Sequence, residues 1–97
     1  MTPADILSKL VGFRTIAGEP NLDLVDWVEA FLRDAEFTVT RLLSPCGSKA
    51  GILAKFGENE GGVLFSAHSD VVPVTGQHWN SDPFTLQQDG DLSHIHI

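Results

Sequence analysis

Residues 61–73 have the sequence GGVLFSAHSDVVP, and the rest of the chain is organised around this stretch. Its first half is an apolar run bounded by glycines, a pattern typical of a strand that is buried on both faces. His68 and Asp70 follow where this run ends, two residues apart. Side chains at i and i+2 of an extended backbone point to the same side. We therefore predict that an imidazole and a carboxylate leave the strand end together, where open α/β sheets bind their ligands.

This pair of residues has two chemical interpretations and one structural interpretation. His68 could ligate zinc or a related divalent metal while Asp70 fixes its tautomer and raises its basicity. Alternatively, His68 could be a general base that Asp70 orients. The two side chains could equally do no more than solvate the loop before Pro73, since short motifs match often by chance. One histidine is not a metal site, because catalytic zinc has three protein ligands.

Length, charge and cysteine content narrow the possible classes of protein. The chain has 97 residues, which is room for one small domain, and a net charge of −7 without a basic cluster. This acidity argues against nucleic acid and anionic membranes as partners. No apolar run approaches the roughly 20 residues of a membrane span, and the N-terminus lacks the order of a signal peptide. The lone Cys46 excludes an intrachain disulfide and is consistent with a reducing cytoplasm.

Two helices are predicted before the first strand. The first begins with Thr2 as its N-cap, has Pro3 at its first helical position, and closes at Gly12. Asn21 is predicted to cap the second helix, whose apolar side chains recur at three and four residues through position 35. Between the two helices, residues 13–20 have loop character. Arg14 and Thr15 could face a substrate there, but we predict that they are solvated.

Three strands are predicted to follow the helices. Residues 37–42 alternate between apolar and polar, and residues 50–56 form a second strand antiparallel to the first. A turn over residues 43–49 joins them, and no neighbouring residue marks Cys46 in this turn as a nucleophile. The third and central strand is the apolar run that leads to His68. After Pro73 the chain is irregular, with His78 exposed and with Trp79 and Phe84 packed back onto the body.

Residues 66–84, SAHSDVVPVTGQHWNSDPF, resemble the signature of the acetylornithine deacetylase and succinyl-diaminopimelate desuccinylase family of zinc metallohydrolases. The shared core is His-x-Asp-x-Val-Pro followed by Trp-x-x-Asp-Pro-Phe, and residues 74–79 are most similar to the acetylornithine deacetylase branch. The resemblance implies that His68 ligates one of two Zn²⁺ ions, with Co²⁺ as an alternative metal, and that Asp70 is the catalytic-site residue supporting it. In the family a glycine usually follows the second helix, whereas this chain has Glu36, so we expect the helix to end differently.

The resemblance continues to Leu92 and then stops, because residues 93–97 are SHIHI where the family has Tyr-Gly-Arg-Gly. We therefore divide the chain into residues 1–92, the N-terminal portion of a metallohydrolase catalytic domain, and an atypical tail at 93–97. The resemblance implies the truncated N-terminal part of an α/β/α zinc-hydrolase catalytic domain, with two helices followed by three strands. The bridging aspartate, the general-base glutamate, the other ligands and the lid or dimerisation domain of the family have no counterpart here. His94 and His96 in the tail could capture a metal adventitiously.

The function implied by the resemblance is hydrolysis of an N-acyl amino acid. For the intact parent protein we expect removal of acetate from N-acetylornithine in arginine biosynthesis, in the cytoplasm. A desuccinylase or an aminoacyl-peptidase of the same family is the alternative enzyme. The 97-residue chain itself is expected to lack activity. An alternative function outside the enzymes is that of a non-catalytic fragment that associates with itself as a homo-oligomer, because unfinished sheets expose strand edges.

Overall fold

A computed structural model describes residues 1–58 and 60–94 of the chain. The elements in chain order are α1 (Pro3–Gly12), α2 (Leu22–Asp34), β1 (Thr38–Leu43), β2 (Ala50–Lys55), β3 (Gln87–Asp89) and β4 (Leu92–His94). They belong to two compact units, one formed by Gly18–Ser69 and the other by Met1–Ala17 together with the chain from Asp70 onward. The predicted α/β class is confirmed by the two helices and the antiparallel strands. Within the described residues, no helix has the length and apolar character needed to cross a membrane.

Helix α1 begins where the sequence predicts. The Thr2 hydroxyl accepts a hydrogen bond from the Asp5 backbone N–H at 3.2 Å, and the Asp5 carboxylate accepts one from the Thr2 N–H at 2.7 Å. This reciprocal capping box satisfies two backbone donors that a helix start leaves unpaired. The hydrogen bonds from Thr2 lower the pKa of Asp5. Pro3 occupies the first turn, and the helix ends at Gly12, as predicted.

The loop after α1 pairs with the chain just beyond Asp70. The Val71 N–H donates to the Thr15 carbonyl at 2.9 Å, and the Ala17 N–H donates to the Val71 carbonyl at 2.7 Å. These bonds form a parallel bridge between Ile16 and Val71. Thr15 is consequently buried, at 6% exposure, so the prediction of a solvated position is wrong for this residue. Arg14 is exposed, as predicted, and its guanidinium lies 4.2 Å from the centre of the Phe84 ring.

Helix α2 packs against the β1–β2 pair to form the other unit. The two strands are antiparallel, as the sequence predicts, and their register places Val39 opposite Ala54 and Leu43 opposite Ala50. The buried apolar side chains of this unit are those of Leu24, Val25, Val39 and Ala50. The apolar stripe of α2 is therefore a packing surface at its N-terminal end, whereas Phe31 near the other end is 37% exposed.

Asn21 holds the start of β2 and does not cap α2 with its side chain. Its Nδ2 donates to the Ala50 carbonyl at 3.0 Å, and its Oδ1 accepts from the Ala50 N–H at 2.9 Å. No hydrogen bond joins this side chain to the first turn of α2. Asn21 is at the N-cap position that the sequence predicts, and its carbonyl accepts from the Val25 N–H at 3.1 Å. The predicted side-chain cap bond is absent, because the amide satisfies both backbone groups of Ala50 and a cap would satisfy a single N–H.

Helix α2 ends in a Schellman motif although the residue at its turn is not glycine. The Phe37 N–H donates to the Leu32 carbonyl at 2.9 Å, and the Glu36 N–H donates to the Arg33 carbonyl at 3.0 Å. Glu36 has φ of +68°, the left-handed conformation that the motif requires. The expectation that the helix ends differently is wrong, since two satisfied carbonyls offset the strain of this backbone conformation.

Charged side chains join α2 to β1. Arg41 of β1 donates to the Asp26 carboxylate at 2.7 Å and, through Nε, to Glu29 at 2.9 Å. Arg33 of α2 also donates to Glu29, at 3.0 Å, and to the Val39 carbonyl at 3.0 Å. The hydrogen bonds from Arg33 and Arg41 lower the pKa of Glu29. The network fixes the outer side of β1 to the helix.

The predicted central strand does not form. Residues 62–70 have no regular secondary structure, and Val63, Leu64 and Phe65 are 81%, 82% and 91% exposed. An apolar run becomes a doubly buried strand only where neighbouring strands and covering helices exist on both sides. In the described part of the chain, β1 pairs with β2 alone, and no third strand joins them. The third-strand prediction is therefore wrong.

A short hairpin follows the irregular segment and was not predicted. β3 and β4 are antiparallel, with Asp89 opposite Leu92, and Gly90 in the turn has φ of +61°. Positive φ at the first turn position is typical of tight hairpins. His94 is the last residue of β4, whereas His96 lies outside the described residues. The boundary between residues 1–92 and the tail stays a prediction.

Candidate functional site

The candidate site begins with the backbone on either side of Asp70. Val71, the next residue, has both backbone polar groups bonded to the loop after α1, at 2.9 and 2.7 Å. Asp70 therefore immediately precedes a residue whose backbone is hydrogen-bonded within its compact unit. Before it, residues 62–69 run without regular structure. The backbone is thus held on the C-terminal side of Asp70.

His68 and Asp70 are both exposed. The boundary between the two compact units falls after Ser69, so His68 belongs to one unit and Asp70 to the other. The roles of His68 as metal ligand and of Asp70 as its supporting carboxylate stay predictions. Among the residues that the structure describes, no three His, Cys, Asp or Glu side chains form a group that could hold a metal ion. These side chains therefore do not make up a complete zinc site.

The segment after Pro73 is ordered by local hydrogen bonds. Trp79 Nε1 donates to the Val74 carbonyl at 3.0 Å, and the Asp82 carboxylate accepts from the Phe84 N–H at 2.8 Å. Trp79 and Phe84 are half-buried, which confirms that they pack back onto their unit. His78 is exposed, as predicted, and its Nε2 lies 3.2 Å from Asn80 Oδ1. The family signature thus contains a hydrogen-bonded turn after the segment that carries His68 and Asp70.

The sequence interpretation missed one side chain whose neighbours lower its pKa. Cys46, in the turn between β1 and β2, is exposed and lies 3.5 Å from the Ser44 hydroxyl and 3.0 Å from the Ser48 hydroxyl. Hydrogen bonds from Ser44 and then Ser48 lower the pKa of the Cys46 thiol to about 7. The signal in the sequence is the serine two positions before and two positions after the cysteine, which places hydroxyls around the sulfur in a tight turn.

Comparison with known proteins gives one consistent result. The chain is 33% identical over 70 residues to acetylornithine deacetylase from Buchnera aphidicola subsp. Schizaphis graminum, covering 72% of this chain and 18% of the relative. It is 36% identical over 76 residues to acetylornithine deacetylase from Shigella sonnei, covering 76% of this chain and 20% of the relative. The Buchnera aphidicola subsp. Acyrthosiphon pisum protein of the same name is 33% identical over 70 residues.

The chain therefore spans about one-fifth of the length of the curated relatives it matches. No family model matches the chain, and no solved structure matches it either.

Proposed function

Because the chain belongs to the acetylornithine deacetylase and succinyl-diaminopimelate desuccinylase family, we propose that it is part of a metal-dependent N-acyl amidohydrolase. The observation that carries this proposal is identity of 33–36% to three acetylornithine deacetylases over about three-quarters of the chain. The contiguous signature at residues 66–84 agrees with it. The intact protein is proposed to hydrolyse N-acetylornithine to ornithine and acetate, in arginine biosynthesis and in the cytoplasm.

The chain's own contribution to this reaction is one metal ligand and its support. We assign the metal-ligand role to the imidazole of His68 and the orienting role to the carboxylate of Asp70. Neutral imidazole is a good zinc ligand, and a carboxylate on its other ring nitrogen fixes the tautomer and raises the basicity. The bonds that fix Val71 support this assignment, because they hold the backbone next to Asp70.

The metal of the intact protein is proposed to be Zn²⁺, with Co²⁺ as an alternative. The described residues of this chain do not fit a complete centre, since a catalytic zinc needs three protein ligands and no such group is present among them. The 97-residue chain on its own is therefore proposed to have no deacetylase activity. No reaction step is assigned to it beyond the positions of His68 and Asp70.

The substrate is the least constrained part of the proposal. A net charge of −7 suits a substrate with a positively charged side chain, such as N-acetylornithine. A desuccinylase or an aminoacyl-peptidase of the same family is the alternative. The names of the relatives favour the deacetylase over these two.

Site-resolved metal titration tests the assignment of His68. Zn²⁺ would be added to the purified chain while the imidazole resonances of each histidine are followed by NMR. We expect the His68 resonances to shift first, and the shift to need roughly 10-fold more Zn²⁺ in Asp70→Asn, as for other supporting carboxylates. His78→Ala is the matched control and should leave the His68 titration unchanged. Shifts confined to His78 and to the tail histidines would return His68 to the role of a loop residue.

An activity assay tests the proposed inactivity separately. The purified chain would be incubated with N-acetylornithine and Zn²⁺ or Co²⁺, and released ornithine would be measured. No metal-dependent turnover is expected. Turnover that disappears in His68→Ala would refute the proposal and would show that this chain completes a metal centre by itself.

A second candidate function is association without catalysis. The observation that favours it is the set of apolar side chains left exposed in the unit that contains β1 and β2, above all at residues 63–65.

A further inference from the structure

Thr15 is the only buried polar residue in the part of the chain that the structure describes, at 6% exposure. Arg14 before it is exposed, and so is Ala17 two positions after it, so the burial is local to the middle of the loop after α1. A hydroxyl group that leaves water costs free energy unless it forms a hydrogen bond within the protein. The side chain of Thr15 is therefore expected to have a specific partner.

The backbone of this loop determines which residues lie beside Thr15. The Val71 N–H donates to the Thr15 carbonyl at 2.9 Å, and the Val71 carbonyl accepts from the Ala17 N–H at 2.7 Å. This is the pattern of a parallel bridge between Ile16 and Val71. Paired residues of parallel strands have their side chains on the same face, and the residues before them have theirs on the opposite face. Ile16 and Val71 therefore share one face, and Thr15 and Asp70 share the other.

The two side chains are complementary in their hydrogen-bonding groups. Both residues belong to the compact unit formed by Met1–Ala17 and the chain from Asp70 onward. Neighbouring strands lie about 4.8 Å apart, and the Cβ atoms of Thr15 and Asp70 should be separated by a similar distance. A threonine hydroxyl has one hydrogen to donate, and an ionised carboxylate only accepts. Thr15 can therefore bond one carboxylate oxygen of Asp70 and leave the other oxygen available.

We propose that Thr15 is a positioning residue whose hydroxyl holds the carboxylate of Asp70 in one orientation. The inference rests on the proposed function, in which Asp70 supports His68 as a metal ligand. The bonds to Val71 hold the backbone next to Asp70, but a backbone bond does not by itself select a side-chain rotamer. A hydroxyl on the same face supplies that selection. The loop after α1 thus contributes a side chain to the site as well as its backbone.

A merely structural role for the hydroxyl makes a different prediction. A threonine in a loop can also donate to a nearby backbone carbonyl, which stabilises the loop itself. Removing the hydroxyl would then weaken the loop and leave the orientation of Asp70 unchanged. The two roles are therefore separated by a measurement made on the side chain of Asp70.

NMR of the chain without added metal makes this measurement. We expect NOEs between the Thr15 γ-methyl group and the Asp70 β-protons, and three-bond couplings that show a single χ1 rotamer for Asp70. Thr15→Val keeps the shape of the side chain and removes the hydroxyl, so the couplings should become averaged over rotamers, whereas Thr15→Ser should retain the single rotamer. The Val71 amide should stay protected from exchange in both variants, because the carbonyl at position 15 still accepts its bond. Thr85→Val is the matched control, since Thr85 is an exposed threonine of the same unit outside the bridged segments.

The zinc titration of His68 tests the consequence for the site. Thr15→Val should need roughly 3-fold more Zn²⁺, the effect of one neutral hydrogen bond, and should add nothing in an Asp70→Asn background because its effect passes through that carboxylate. If Asp70→Asn itself leaves the His68 titration unchanged, the proposed function fails, whereas the Asp70 couplings still decide the role of Thr15. If Thr15→Val does not fold, the NOEs of the unaltered chain decide it. Absence of those NOEs, or a single Asp70 rotamer that persists in Thr15→Val, would overturn the proposal.

Discussion

Replacing Asn21 with serine should destabilise the unit that contains α2, β1 and β2. In the structure the Asn21 amide donates to the Ala50 carbonyl at 3.0 Å and accepts from the Ala50 N–H at 2.9 Å. Serine is a good N-cap residue for α2, but its hydroxyl is too short to reach Ala50. The substitution therefore separates the two roles that an asparagine at this position could have.

The expected loss follows from the two hydrogen bonds. A neutral hydrogen bond contributes about 0.5–1.5 kcal/mol net, so two contribute about 1–3 kcal/mol. The loss should fall in the upper part of this range, because Ala50 is only 9% exposed and its backbone groups would be left with poor access to water. Asn21→Ala loses the same two bonds and should be at least as destabilised as Asn21→Ser, since serine can form a new cap bond to α2 that alanine cannot.

Urea unfolding measures the difference. Trp27 lies on α2, so its fluorescence reports on this unit, and a Trp79→Phe background removes the other tryptophan signal. The Ala50 amide should also exchange faster in both variants. If Asn21→Ser were as stable as wild type while Asn21→Ala lost about 1 kcal/mol, the side chain would be a helix cap and our interpretation of its contacts would be refuted.

Three further predictions concern single side chains of the same unit. Glu36→Gly should stabilise it by about 0.5 kcal/mol in urea unfolding, because relief of the left-handed backbone at φ +68° exceeds the entropy that glycine adds to the unfolded chain. Ala35→Gly, at φ −89°, gains no such relief and should destabilise it. Alkylation of Cys46 by iodoacetamide should rise with a midpoint near the thiol pKa of about 7, and Ser44→Ala should move that midpoint to higher pH. Hydrogen bonds from two arginines lower the pKa of Glu29 in the folded chain. The ionised Glu29 should therefore stabilise the fold at pH values above the pKa it has in the unfolded chain, and this stabilisation should be lost as the pH falls through the pKa it has in the folded chain. Acid titration of Glu29→Gln should therefore show a shallower loss of stability, and an unchanged titration would contradict this account.

The elements that could be predicted are those whose causes are local in sequence. The capping box of α1 needs only Thr2 and Asp5, three residues apart, and both of its hydrogen bonds are present. The β1–β2 pair could be predicted because a short turn joins two strand-forming segments and fixes an antiparallel register. In each case neighbouring residues contain the whole interaction.

The wrong predictions have causes that are distant in sequence. The side chain of Asn21 bonds to the backbone of Ala50, 29 residues away, and no local sequence pattern distinguishes this long-range pair of hydrogen bonds from a helix cap. Thr15 is buried because Val71 pairs with its loop. The apolar run at residues 62–67 has every local property of a central strand, yet burial depends on neighbouring strands that the described chain does not supply. A hydrophobic pattern indicates that a segment needs to be buried, but it does not show whether neighbouring strands and helices are present to bury it.

The difference between local and distant causes also explains why the sequence identifies the family but does not predict a complete metal centre. The signature around His68 and Asp70 is contiguous, so a chain one-fifth the length of its relatives still contains it whole. A zinc site, in contrast, is assembled from three ligands that converge in space. The described residues bring no such group together, although they include both members of the motif. If His68 binds zinc in this chain, it should therefore do so weakly. An affinity for Zn²⁺ that matched a three-ligand site, and that depended on His68, would show that the missing ligands are present in this chain or are supplied by a second copy.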